Sequence, residues 1–310
     1  MSSIDLAVSV GDVELATPII AASGTYAYGA ELDGLVDWKL VGGVCVKGLS
    51  AEPSSGHAAP RMAETSGGVL NAIGLQNIGV AAFATDKLPL LRQLGPRVIA
   101  NCWGNTLDDY ARVIELIDAL DGVDVVEVNV SCPHKHEWGG ILAADLAATT
   151  AIVTEVRRRT KLPLWVKLSP NVTDIVEGAL AVEAAGADAV VAINTLRGLA
   201  VDVETRRPVL ANGSGGLSGP AIKPVALHMV RAAAAALSIP VVGVGGIMTG
   251  RDAAEFLIAG ASAVEVGTAC LYDPAAPARI AAELSAVLED LGETSASALV
   301  GTLDAQRRPS

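Results

Sequence analysis

Short apolar segments recur along the chain and alternate with longer stretches of helical periodicity. Eight segments rich in Val, Ile and Ala have the length of buried strands, at 19–22, 44–46, 97–100, 125–130, 164–167, 189–193, 241–244 and 264–266. Patterns with the period of an amphipathic helix lie between most of them, at 107–120, 146–159, 175–185, 222–237 and 251–259. This alternation predicts an α/β fold, a (β/α)8 TIM barrel, over the main alternative of a doubly wound open sheet.

Two hairpins are predicted outside this alternation. Alternating residues at 4–8 and 13–15 flank Gly11 and Asp12 and indicate an N-terminal hairpin. After the sixth strand, residues 198–219 form a long insertion that carries a second short hairpin. We expect residues 1–310 to form a single domain.

Composition and charge narrow the class of protein. Hydrophobic residues make up 51% of the chain and aromatic residues only 3%, so the core is built from aliphatic side chains. The formal net charge of -12 argues against nucleic acid as a ligand and means that an anion must be held by local cations. Because the chain lacks an export signal and a long uncharged apolar run, we expect a cytoplasmic protein without membrane contact.

The cysteines are far apart and form no CxxC pair, which fits a reducing compartment and argues against a self-contained zinc or iron–sulfur site. Three of them are expected to be small buried hydrophobic residues: Cys45, Cys102 and Cys270.

Cys132 differs from the other cysteines because it follows the fourth predicted strand and precedes Pro133. A thiol in such a loop can accept a proton once it is partly ionised, or it can act as a covalent nucleophile. His134 and His136 alternate with Pro133 and the following lysine in the same loop, but they make a poor zinc set, so we expect no metal.

Polar residues and glycines follow nearly every predicted strand. In a barrel, these strand ends face a common mouth, where active sites lie. A single lysine at a strand end is usually just solvated, but two lysines and three asparagines in one cavity exceed what folding requires. We expect the following residues to converge on a ligand: Ser23, Lys47, Gly48, Asn101, Asn129, Lys167, Asn194, Thr195, Gly245, Gly246, Gly267 and Thr268.

The glycine turns after the last two strands predict a phosphate site, because backbone N–H groups in such turns point at phosphate oxygens. The alternatives are tight turns without a ligand and a dinucleotide fingerprint, which fails because Met248 replaces its third glycine. Flavin mononucleotide (FMN) needs a phosphate cradle, amide partners and a cation near its ring, for which Lys167 is the best candidate. Residues 70–77, interpreted as a loop, could hold a planar ring through Asn71 or form an ordinary turn.

Seven stretches of sequence carry a resemblance to a known family. They are VKGLS (46–50), LNAIGLQN (70–77), NVSCP (129–133), WVKLSPNVTDI (165–175), INTLRG (193–198), GGLSGPAIKPVALHMV (215–230) and GVGGIMTGRDAAEFLIAGASAVEVGTA (243–269). With these motifs the chain resembles class 1 dihydroorotate dehydrogenases, most of all the catalytic subunit of type 1B. The stretches span nearly the whole chain, and NVSCP together with GGLSGPAIKP is highly specific.

The resemblance implies a flavoenzyme of pyrimidine biosynthesis that oxidises dihydroorotate to orotate, with hydride passing from C6 to flavin N5. Cys132 is implied as the base for the C5 proton and Lys167 as the second catalytic residue. FMN would be bound by Ser23, Lys47, Gly48, Asn101, Asn129, Lys167, Ile193, Gly219, Gly245, Gly246, Gly267 and Thr268. Substrate contacts would come from Lys47, Asn71, Ala72, Ile73, Gly74, Leu75, Asn129, Asn194 and Thr195.

The resemblance also implies a homodimer that joins a partner subunit carrying FAD and a [2Fe–2S] cluster, in a heterotetramer that passes electrons to NAD. One position departs from the family pattern, since His134 stands where the family usually has Asn. Dihydropyrimidine dehydrogenases have the same barrel and resemble this chain in Cys-Pro-His. Three alternatives stay open: a uracil or thymine dehydrogenase, a flavin-free phosphate-binding isomerase or synthase, and a non-catalytic scaffold.

Overall fold

A computed structural model of the chain describes residues 4–131 and 145–304. In chain order the strands of these residues are β1 (Val8–Val10), β2 (Val13–Leu15), β3 (Ile19–Ala21), β4 (Gly43–Cys45), β5 (Met62–Thr65), β6 (Gly68–Asn71), β7 (Arg97–Cys102), β8 (Val125–Asn129), β9 (Leu164–Lys167), β10 (Ala189–Ala192), β11 (Leu196–Gly198), β12 (Val201–Asp202), β13 (Arg207–Pro208), β14 (Gly215–Ser218), β15 (Val241–Val244) and β16 (Ala263–Val266).

The α-helices of the same residues are α1 (Gly79–Ala82), α2 (Leu88–Leu94), α3 (Leu107–Asp118), α4 (Leu146–Arg159), α5 (Ile175–Ala184), α6 (Lys223–Ala236), α7 (Gly250–Ala259), α8 (Ala269–Tyr272) and α9 (Ala276–Leu291). Two of them begin at capping boxes, in which Thr106 and Thr249 exchange hydrogen bonds with the aspartate three residues later. Helix α9 ends at Gly292 in the left-handed conformation, which glycine adopts without strain.

Eight parallel strands close into a barrel, and their order around it follows the chain: β3, β4, β7, β8, β9, β10, β15 and β16. The closing pair joins β16 to β3, with Val264 opposite Ile19 and Val266 opposite Ala21. The predicted (β/α)8 TIM barrel is therefore confirmed, and an open sheet is excluded. Each predicted strand coincides with an observed one, because runs of Val, Ile and Ala are buried on both faces of a parallel sheet.

The N-terminal hairpin packs at the amino-terminal end of the barrel, where Arg97, the first residue of β7, donates from Nε to the carbonyl of Glu14 at 3.0 Å. Its first strand lies at 8–10, although the sequence predicts 4–8. The reason is that Asp5 bridges Ser295 near the end of the described chain instead of pairing within the hairpin.

A four-stranded antiparallel sheet is built from two insertions, in the order β11, β14, β6 and β5. Strands β5 and β6 come from the insertion after β4, and β11 and β14 come from the insertion after β10. The predicted hairpin within the second insertion is confirmed as β12 and β13. The interpretation of residues 70–77 as a loop is wrong at its start, since Leu70 and Asn71 end β6 and pair with β5 and β14.

The outer helices cover the barrel with buried aliphatic faces. Helix α9 packs against α7 so closely that a Cβ on Gly250 would lie 2.3 Å from the backbone nitrogen of Leu284. Among the described residues, no helix combines the length and the low polarity that crossing a bilayer requires.

Replacing Leu284 by alanine is expected to lower the free energy of unfolding by about 2–5 kcal/mol, because the change empties a fully buried site between α9 and its neighbours. Leu291→Ala on the same helix is the matched control and should change it by less than about 0.5 kcal/mol, since that side chain is 55% exposed. Urea denaturation followed by circular dichroism measures both. Equal losses in the two variants would contradict this packing.

Candidate active site

A cavity of about 710 Å³ opens at the carboxyl end of the barrel strands. Its volume is in the range of small-molecule and cofactor sites. Its lining includes every predicted cofactor and substrate contact: Ser23, Lys47, Gly48, Asn71, Ala72, Ile73, Gly74, Leu75, Asn101, Asn129, Lys167, Ile193, Asn194, Thr195, Gly219, Gly245, Gly246, Gly267 and Thr268. Cys132 lies outside the described residues, as do His134 and His136, but Ser131 directly before it lines the cavity.

Three backbone turns meet on one side of the cavity. A Cβ on Gly246 would lie 2.8 Å from the carbonyl oxygen of Gly219, and a Cβ on Gly219 would lie 3.3 Å from the side chain of Thr268. Thr268 also donates from Oγ1 to Oγ of Ser218 at 2.8 Å. The two glycine turns predicted from sequence, at the ends of β15 and β16, therefore both lie beside a third turn, at the end of β14.

Backbone geometry at this junction requires glycine. Gly219, Gly245 and Gly246 have φ values of 101°, 134° and 74°, which side-chain-bearing residues rarely adopt. A Cβ on Gly219 would also lie 2.7 Å from Cα of Gly68. The three glycines also line the cavity, so this junction can accommodate a phosphate group beside its backbone.

Amide side chains are held in place on another wall of the cavity. Asn129 ends β8, and its Oδ1 accepts a hydrogen bond from the backbone nitrogen of Ser131 at 3.1 Å. The hydroxyl of Ser131 also bonds Asn129 and accepts from Nδ2 of Asn194, so one serine links two strand ends. Tyr110 donates to the carbonyl of Asn129 at 2.8 Å, which anchors this wall to α3.

The segment from Ala72 to Gln76 follows β6 and crosses the cavity. Its shape depends on Asn77, which is buried and donates from Nδ2 to the carbonyl of Leu75 at 3.0 Å while its Oδ1 accepts from the backbone of Gly79 at 2.8 Å. Gly74 and Leu75 both have positive φ, so backbone of this segment turns sharply beside the cavity. The structure therefore places Asn71 on a strand and the residues after it on a fixed turn.

Lys47 and Arg61 bring positive charge to the cavity lining. Burial, reinforced by the charge of Arg61, lowers the pKa of Lys47 from its usual value. Neither side chain forms an ion pair with a carboxylate of the described residues. An anionic group in the cavity would therefore meet cations that have no such counter-ion, Lys47 and Arg61 among them.

Lys167 lies at the cavity floor and is 4% exposed. Its Nζ lies 2.6 Å from Oε2 of Glu265, 3.7 Å from Oε1 of Glu127 and 3.5 Å from the hydroxyl of Ser23. Burial opposes the charge of Lys167, but the two carboxylates outweigh it and raise the pKa of the lysine. Lys167 is therefore positively charged at neutral pH and paired with carboxylates.

Sequence reasoning missed the two glutamates that contact Lys167. It also missed several polar residues of the cavity lining, among them Arg61, Ser131 and Asn171. Glu127 and Glu265 lie within the apolar strands β8 and β16, and both are fully buried. A charged residue inside a run of Val is itself a signal, because an unpaired charge in a core is costly. The prediction that Cys45, Cys102 and Cys270 are buried is confirmed.

The family is decided by comparison with known proteins. A family model described as dihydroorotate dehydrogenase matches residues 5–288. The chain belongs to the dihydroorotate dehydrogenase family. It is 50% identical over 300 residues to a protein of Citrifermentans bemidjiense named dihydroorotate dehydrogenase B (NAD(+)), catalytic subunit, covering 97% of this chain and 98% of that one.

Two further members of the dihydroorotate dehydrogenase family show the same near-complete coverage. A Geobacter sulfurreducens protein with the same name is 49% identical over 304 residues, which are 98% of this chain and 100% of the relative. A Solibacter usitatus protein, provisionally named dihydroorotate dehydrogenase A (fumarate), is 51% identical over 298 residues, 96% of this chain and 98% of the relative. The two names differ in the electron acceptor.

Lys47 is expected to lose its charge at a lower pH than lysine does in a model peptide. The sign follows from its lowered pKa, since a lysine becomes neutral as the pH rises through that value. Arg61→Gln should raise the pKa of Lys47 only part of the way back to its usual value, because burial lowers it more than the charge of Arg61 does. NMR titration of 13C-methylated lysines measures this, with Lys47→Met for assignment and Arg92→Gln as the surface control. A Lys47 signal that titrates at or above the pKa of lysine in a model peptide would contradict the lowered pKa.

Proposed function

We propose that this protein oxidises dihydroorotate to orotate with FMN bound in the cavity, in pyrimidine biosynthesis. The observation that carries the proposal is the convergence of a glycine-lined junction, a buried lysine and fixed amide side chains on one cavity in a dihydroorotate dehydrogenase fold. The names of the relatives favour dihydroorotate over uracil or thymine. Family membership likewise favours a flavoenzyme over the flavin-free barrel and the non-catalytic scaffold.

The residues of the cavity fit FMN in their chemistry. Backbone of Gly219, Gly245, Gly246, Gly267 and Thr268 would hold the phosphate, at turns whose packing leaves no room for a Cβ on the first three of these glycines. The ring would be held by Ser23, Lys47, Gly48, Asn101, Asn129, Lys167 and Ile193. Gly48 is suited to a close approach, because a Cβ there would lie 2.6 Å from Oδ1 of Asn101.

When bound, FMN supplies a hydride acceptor that the amino acids of the chain lack. Lys47, Asn129, Asn194 and Thr195 orient the substrate, together with Asn71, Ala72, Ile73, Gly74 and Leu75. Lys47 and Arg61 attract its carboxylate. Cys132 takes the proton from C5, and Lys167 stabilises negative charge that develops in the ring beside it.

The proposal includes a partner. Two of the relatives are named catalytic subunits, and we propose that this chain forms a homodimer that joins a second subunit with FAD and a [2Fe–2S] cluster and passes electrons to NAD. The Solibacter relative makes fumarate the second candidate acceptor. Location in the cytoplasm stays a prediction from sequence.

The purified chain is expected to absorb near ~450 nm, as oxidised flavins do, and to bleach with dihydroorotate faster than with dihydrouracil. Single-turnover stopped-flow measures both reactions, and the bleached protein is then mixed with NAD or fumarate. NAD is supported as the acceptor if fumarate does not restore the colour and NAD restores it once a partner subunit is added. Preparations that hold no FMN and refuse added FMN would overturn the proposal, and faster bleaching by dihydrouracil would change the substrate.

Cys132→Ala is expected to retain FMN and to slow flavin reduction by dihydroorotate at least ~100-fold, the range for loss of a general base. Cys132→Ser should retain part of the rate, because a hydroxyl can replace the thiol as a proton acceptor. Cys102→Ala is the matched control for cysteine loss, since that residue is buried within β7. Near-normal reduction in Cys132→Ala would reject Cys132 as the base.

A further inference from the structure

Lys167 lines the cavity, and the buried group around its ammonium contains more negative than positive side chains. Glu127 on β8 and Glu265 on β16 are fully buried, and Lys167 on β9 is the cation that contacts them. Cys45 on β4 and Asn101 on β7 complete the group, and both are buried. Two ionised carboxylates with one ammonium would leave a net negative charge out of contact with water.

Hydrogen bonds account for only one oxygen of each carboxyl group. Oε1 of Glu127 accepts from Nδ2 of Asn101 and from Sγ of Cys45, the latter at 3.2 Å. Oε2 of Glu265 accepts from Nζ of Lys167. Among the described residues, Oε2 of Glu127 and Oε1 of Glu265 are buried and have no hydrogen-bond partner.

A proton between the two carboxyl groups would remove the buried net negative charge and would supply a hydrogen bond between the two groups. Neighbouring carboxylates that share a site cannot both ionise readily, so one of them retains a proton. The resulting O–H can donate from Glu265 to Glu127, because the two carboxyl groups lie within hydrogen-bonding reach of each other. A buried unsatisfied oxygen otherwise costs free energy.

A metal ion is the competing explanation for this group. Single ligand atoms of Cys45, Glu127 and Glu265 all lie within 4.8 Å of one another. The ammonium of Lys167, however, already supplies the positive charge at 2.6 Å from Glu265. A divalent cation there would be repelled by the lysine, so the geometry favours a proton.

We propose that Glu127 and Glu265 share one proton beneath Lys167, so that the group is neutral as a whole, and that the pair sets how strongly Lys167 attracts negative charge in the cavity. Both glutamates are positioning residues that act through the lysine. The second half of the proposal rests on the proposed function, because it concerns bound FMN.

The electrostatic environment assigns the proton to Glu265. Burial, and then the charge of Glu127, raises the pKa of Glu265 well above its usual range. Burial acts in the same direction on Glu127, but the charge of Lys167 and hydrogen bonds outweigh it and lower the pKa of Glu127. Burial and the charge of Glu127 keep Cys45 in the thiol form by raising its pKa.

The shared proton predicts a specific dependence of stability on pH. The unfolded chain releases this proton above about pH 4.3, whereas the folded chain keeps it, so stability falls as the pH rises toward the raised pKa of Glu265. Glu265→Gln retains a donor and an acceptor but has no proton to lose. The unfolding equilibrium constant of the wild type, divided by that of Glu265→Gln, should therefore rise about tenfold per pH unit between about pH 5.5 and 7.

Two controls sharpen this experiment, which needs only urea denaturation of the full chain. The ratio of the wild type to Glu127→Gln should rise with the same slope. In that variant Glu265 is ionised beside Lys167, so folding no longer takes up a proton. Glu289→Gln removes an exposed carboxylate and should give a flat ratio. A flat ratio for Glu265→Gln would overturn the shared proton, and a flat ratio for Glu127→Gln alone would show that Glu265 holds its proton without sharing.

The midpoint potential of bound FMN tests the effect on Lys167. Each single variant leaves the group neutral and should keep the potential of the wild type. The double variant Glu127→Gln/Glu265→Gln leaves an unopposed cation and should favour reduced flavin at least about tenfold, which is about 30 mV for two electrons. An equal rise in each single variant would overturn the proposal, even where the double variant does not fold. Absence of FMN would reject the proposed function and leave the stability result intact.

Discussion

Pairing between β16 and β3 is the constraint on which the rest of the structure depends. It joins Val264 to Ile19 and so closes a sheet whose first and last strands are far apart in the chain. Closure places all carboxyl ends of the strands on one rim, which is why Lys167 contacts both Ser23 and Glu265 across the barrel. Contacts between such distant residues require an early loss of chain entropy, and burial of the aliphatic core compensates for it.

The barrel could be predicted from sequence because its signal is local. Runs such as Val241–Val244 are buried on both faces, and polar residues follow where each strand ends. The second sheet was missed because its pairing is not local: Leu217 pairs with Leu70 from a different insertion. Thr65 and Gly68 do form a two-residue hairpin around Ser66 and Gly67, a signal that was available, but Met62–Thr65 is too polar to resemble a core strand.

The residues of the site likewise fall into those that the sequence could predict and those that it could not. Glycine turns and strand-end amides were predicted because backbone conformation and fold position restrict which residues can occupy them, as at Gly246 and Asn129. Glu127 and Glu265 were missed because periodicity treats a strand as a sequence of apolar positions, whatever a single residue contributes. Their importance becomes evident only when three strands bring them to one lysine, since burial and pairing are properties of the folded chain.

The cavity has two kinds of cation, those without a carboxylate partner and the paired Lys167. The net charge of -12 explains why unpaired cations are needed. Since the overall field repels anions, attraction must come from cations that are not already neutralised. Within residues 4–131 and 145–304, Lys47 and Arg61 form no ion pair, whereas Lys167 at the cavity floor is paired with buried carboxylates. A neutral floor does not compete with Lys47 and Arg61 for the anionic group of a ligand. In the proposed function it would still present an ammonium to a ring that gains electrons, so capture of the anion and stabilisation of developing charge would fall to different lysines.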